Sequence, residues 1–120
     1  MIRILAPLAL LAMATSAAAQ ERPADPLPAL SLEQRMLARC SAAFALVAEG
    51  QANGNAAALT YPDMHEAGSE FFVRAGARLM DEAGLTRAQL AALLQAEAQA
   101  LWGEGTLEAV MPACLALLDA

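Results

Sequence analysis

SLEQRMLARCSAAFALV, residues 31–47, carries the densest structural information in the chain. Ser31 followed three residues later by Gln34 is a capping box, in which each side chain satisfies the other's free backbone N–H. Behind it Leu32, Met36, Cys40, Ala43, Phe44 and Val47 recur at helical spacing and share one stripe. The reading is a helix buried along that stripe, with Cys40 at its centre. Gly50 and the Asn53-Gly54-Asn55 cluster end it. A loop or partly helical stretch follows through Thr60.

Downstream, the same kind of element recurs. A second helix is expected from near Pro62, a residue pre-set for a first helical turn. Its apolar face reads Met64, Gly68, Phe71, Phe72, Ala75 and Leu79, and Glu66, Glu70, Arg74 and Arg78 form a charged row opposite. Gly68 and Gly76 each cost about 1 kcal/mol against Ala inside a helix, so a neighbouring helix is expected to approach closely there. Gly84 stops the element. Thr86 with Gln89 then repeats the capping box and opens a third helix that runs to about Trp102, where Gly103 and Gly105 break it. A fourth helix, Thr106 to about Leu118, aligns Leu107, Val110, Met111, Cys114, Leu117 and Leu118. Pro112 lies inside it, which predicts a kink or a split.

Composition agrees with an all-α reading. Hydrophobic residues make up 58% of the 120-residue chain and aromatics only 4%. About a quarter of the residues are Ala, a strong helix former, and strand-forming residues are sparse. Short single-faced helices joined by short breaks predict a small antiparallel four-helix bundle over residues 31–120. Its two cysteines, Cys40 and Cys114, sit at stripe centres on the first and fourth helices. Bonding them requires those helices to be neighbours, because disulfide Cα atoms lie within ~7 Å of each other.

Residues 1–19 read as a signal peptide. Arg3 supplies a positive start, and Ile4 to Met13 form an apolar segment too short for a bilayer span of ~20 residues. Ala17-Ala18-Ala19 gives a small-residue cleavage site before Gln20. Export to the periplasm or secretion follows, with no stable membrane anchor after cleavage, and a single disulfide suits an oxidising compartment. Residues 20–30 contain Pro23, Pro26 and Pro28 and read as an extended arm, ordered only if Leu27 and Leu30 find a groove.

Thirteen acids oppose seven bases, all Arg, for a net charge of −6. No basic block exists to track a phosphate backbone, which argues against nucleic acid as a partner. The lone histidine, His65, has Ser69 where a second helical metal ligand would stand, so no metal or cofactor is expected. Met36, Met64, Met80 and Met111 are scattered along the helices as core filler rather than clustered as copper ligands. Ser41 and Ser69 sit within helices, and no G-x-S-x-G or phosphate-binding glycine loop is present. The reading is a non-enzymatic binder of an unidentified protein or peptide. The alternative is a small-ligand or lipid carrier whose bundle core opens around Phe44, Phe71 and Phe72.

Three features are singled out beyond the Cys pair. Trp102 points away from the third helix's leucine stripe, and with Tyr61 it is the candidate partner surface. Glu97 falls among Leu90, Leu93, Leu94 and Leu101 on a helical projection. A buried carboxylate there pairs with a cation or takes up a proton, the candidate partners being Arg74, Arg78 and Arg39. If the helix is rotated, Glu97 reaches solvent instead.

Overall fold

The computed structural model describes residues 25–103 and 105–119; the segment 1–19, read from sequence as a signal peptide, and the first residues of the expected arm lie outside them. Four α-helices account for most of the described residues: α1 (Leu32–Ala52), α2 (His65–Ala83), α3 (Arg87–Gly103) and α4 (Leu107–Leu118), with one 3-10 turn at Ala58–Thr60. No strand occurs among the described residues. The helices form a bundle around α1, which packs against each of the other three; α2 and α3 also touch one another.

Both capping boxes form. Ser31 Oγ accepts from Gln34 N at 3.1 Å while Gln34 Oε1 accepts from Ser31 N at 3.0 Å. Thr86 and Gln89 make the same reciprocal pair at 3.1 and 2.9 Å. Gly84, at φ +67°, ends α2 in the left-handed conformation.

The central position of α1 explains its burial. Leu37, Ala38, Cys40, Ser41, Ala42, Ala43, Phe44 and Val47 are all buried, a wider arc than one stripe. Small side chains there let neighbouring helices approach, since interaxial distance follows the residues at the contact. Ser41 Oγ donates to Leu37 O at 2.7 Å, so its buried hydroxyl is satisfied within the helix. Leu79, Leu101, Met64 and Met111 close the core around α1. Close approach also accounts for the α2 glycines. A Cβ on Gly68 would lie 3.3 Å from Phe44 Cβ, and one on Gly76 would lie 3.3 Å from a Leu90 methyl. Cys40 and Cys114 are disulfide-bonded with Cα atoms 5.2 Å apart, tying α4 to α1.

Several sequence expectations are corrected. Leu32 is 73% exposed because the first turn of α1 projects beyond the core. Phe72 is exposed while Phe71 is buried, since one residue is a 100° step around a helix and only Phe71 turns inward. Phe71 meets Phe44 edge-to-face at 5.1 Å, so the aromatic cluster expected around three rings is a packed pair with the third outside. The Met80 side chain is exposed as well. α2 begins at His65 rather than near Pro62, because Asp63 Oδ1 accepts from His65 N and holds the preceding residues in a turn. α4 is one continuous helix through Pro112. The carbonyl left without its i+4 donor is that of Glu108, an exposed residue.

The arm is described from Asp25 onward and runs without regular structure to Ser31. Leu30 packs against the core, and the buried amide of Gln89 donates to Pro26 O at 3.1 Å and to Asp25 O at 3.5 Å. One side chain therefore caps α3 and pins the arm. Gln89→Glu separates the two roles, because a carboxylate still closes a capping box but cannot donate to carbonyls. The variant should keep the helix content of the wild type, while limited proteolysis cuts between Leu27 and Ser31 sooner. Unchanged cutting would mean that Leu30 alone holds the arm.

Candidate functional site

Gln51 builds one end of the bundle. Its position four residues after Val47 continues the buried stripe of α1 into the last turn. From there its amide nitrogen donates to the carbonyls of Ala58, Tyr61 and Pro62 at 3.1, 3.2 and 2.9 Å, sharing two hydrogens among three acceptors. Its oxygen accepts from Met64 N at 3.0 Å. Asn55 Oδ1 accepts from Ala58 N at 3.0 Å, and Thr60 Oγ1 donates to Ala57 O at 2.6 Å. The connection between α1 and α2 is thereby shaped by side chains together with the backbone bonds of its 3-10 turn, Thr60 N to Ala57 O at 3.3 Å and Tyr61 N to Ala58 O at 3.2 Å. It also presses against α1: a Cβ on Gly50 would come within 2.7 Å of Ala58 Cβ, so only glycine permits this approach.

That connection is one wall of a cleft of about 470 Å³. The end of α1 contributes Leu46, Val47 and Glu49, the connection contributes Ala58 and Tyr61, and α3 and α4 contribute Leu101, Trp102, Leu107 and Glu108. A volume in this range, about 300–1,000 Å³, is typical of binding clefts. Trp102 is 77% exposed on its edge, and Tyr61 packs partly against the core. The two aromatic residues named from sequence as a partner surface thus line one cleft. Among the described residues its carboxylates are Glu49 and Glu108, both exposed, and no arginine lines it.

Arginines are engaged elsewhere. Arg39 on α1 meets Glu97 on α3, Nε to Oε2 at 3.0 Å, with the Glu97 side chain 19% exposed. Glu97 is therefore half-buried and paired, and the partner is Arg39. Arg78 is not available to it: its guanidinium contacts Glu82 at 3.1 Å and Glu33 at 3.0 Å. The hydrogen bonds it donates to Glu82 first, then Glu33, raise its pKa above the ordinary arginine value. Arg74 is exposed on α2 and pairs with no described acid, so the Glu70–Arg74 rung expected from i, i+4 spacing is absent among the described residues. The Arg39–Glu97 pair is a clip between two helices; solvent screening holds such pairs to about 0–1 kcal/mol.

Thr106, which precedes α4, makes no capping bond; its hydroxyl is buried without a hydrogen-bond partner. His65 is exposed at the start of α2, and Ser69 Oγ donates to His65 O at 2.7 Å within that helix. Among the described residues no three His, Cys, Asp or Glu side chains converge as a metal site, and no helix is long and apolar enough to cross a membrane.

Sequence reasoning missed Gln51 and Gln89 as organising residues. The signal was present: each amide falls where an apolar residue should stand, Gln51 after Val47 and Gln89 between Leu85 and Leu93. A polar side chain at a buried helical position needs partners, and these find theirs in neighbouring loop carbonyls. No protein-family model matches the chain, and comparison with curated proteins and with solved structures finds no match either.

Proposed function

We propose that this is an exported protein of the periplasm or extracellular space that binds another protein or peptide in the cleft beneath Trp102, without catalysis of its own. The observation that carries the reading is the placement of a largely exposed indole on the edge of a cleft of about 470 Å³ with an apolar floor of Val47, Ala58 and Leu101. Burying a Trp at an interface is among the most productive contacts available, and hot spots are enriched in Trp and Tyr. The disulfide fits such a role, since it secures α4, which carries Leu107 and Glu108 of the cleft. An oxidising compartment would maintain that bond.

Comparative co-purification tests this. The tagged wild type and the Trp102→Ala variant are recovered from their native compartment, washed identically and analysed by mass spectrometry. A protein partner retained by the wild type should fall at least about tenfold in the variant, a loss of ~1.4 kcal/mol or more. Melting temperatures of the two should match, because Trp102 is a surface residue. Equal retention, or recovery of an extracted small molecule in place of a protein, would defeat the reading.

A further inference from the structure

We propose that the segment docking in this cleft is a basic amphipathic peptide, one presenting arginine or lysine beside leucine-like side chains. The inference rests on the docking reading above and adds the chemistry of the partner. Charge complementarity supports it. Glu49 and Glu108 line the cleft from α1 and α4, and no cationic side chain lines it among the described residues. Arg39 is taken by Glu97, and Arg78 by Glu33 and Glu82, so neither of these cations serves the cleft's carboxylates. Glu49 and Glu108 pair with no described base. Trp102, largely exposed, lines the same cleft, and an indole face attracts a guanidinium or ammonium group within ~6 Å of its centre. The apolar floor would accept the aliphatic side chains between the charges. An acidic docking partner would bring its carboxylates against two unmatched carboxylates, so the same geometry disfavours it.

Trp102 is the chain's one tryptophan, so its emission reports directly on the cleft. The disulfide-bonded protein is titrated at low salt with a blocked dodecapeptide built from Leu, Ala and Arg. The same peptide with Gln, and then Glu, at each Arg position serves for comparison. The Arg peptide should shift the emission and saturate. The Gln peptide should bind about tenfold more weakly, the combined effect of a few rim pairs, and the Glu peptide more weakly still. Added salt should weaken the Arg peptide selectively. Glu49→Gln and Glu108→Gln should each weaken it about two- to fivefold. Equal binding of the Arg and Gln peptides would overturn the charge assignment while leaving docking intact. If no peptide moves the emission, the docking reading falls with it. If spermidine saturates the response and the Arg peptide gives none, the site belongs to small amines and the proposal is wrong.

Discussion

Replacing both Cys40 and Cys114 with alanine should lower stability by about 4 kcal/mol, the chain-entropy value for a loop of this size. The bond spans 74 residues, so it constrains nearly the whole unfolded domain. Small domains are stabilised by about 5–15 kcal/mol in total, and 1 kcal/mol shifts their melting by about 4–8 °C, so a fall of about 15–30 °C is expected. The consequence should be uneven. α4 packs chiefly on α1, has only 12 residues and lacks one backbone N–H at Pro112. It should be the first element to loosen, and its amides should lose protection from hydrogen exchange before those of α1. Reducing agent should produce the same change in the wild type. A melting temperature within a few degrees of the wild type in both cases would show that packing alone holds α4.

Phe44→Ala should cost about 3–5 kcal/mol, as expected when a fully buried ring is removed from a core that cannot collapse around the gap. Phe44 is wholly inaccessible, meets Phe71 edge-to-face and lies against Gly68, where a Cβ would come within 3.3 Å of its own Cβ. Phe72→Ala is the matched control. At 40% exposure it should shift stability by less than about 1 kcal/mol, a value typical of half-exposed sites. Thermal denaturation of both variants checks the assignment. If Phe72→Ala is the more damaging, α2 sits in a different rotation and the packing described here is incorrect.

Local signals made most elements legible. Ser31 with Gln34, and Thr86 with Gln89, mark helix starts within a few residues, where only neighbouring atoms matter. Cys40 and Cys114 identified adjacent helices because both fall on stripe centres. Rotation was harder to read. Phe71 and Phe72 have the same hydrophobicity, and only the position of α1 decides which is buried. The uncharged run from Cys40 to Ala48 signals that α1 is surrounded, yet stripe reading treats it as one-faced. For Glu97, three arginines were conceivable partners, and the choice depended on the packing of α1 on α3, which sets Arg39 beside it. The cleft was legible only through Trp102 and Tyr61. Its shape depends on Gln51 folding the α1–α2 connection against Gly50, a tertiary event without local periodicity.

The most direct test of the cleft as the docking surface is site-resolved photocrosslinking. A photoreactive phenylalanine analogue is placed at Ala57, exposed on the cleft wall, or at Val73, exposed on α2 away from it. Each variant is irradiated in its native cells. One discrete crosslinked protein band should appear from position 57, disappear when Trp102→Ala is added, and be missing from position 73. Crosslinking of equal intensity from both positions, or a band from 57 that survives Trp102→Ala, would contradict the account.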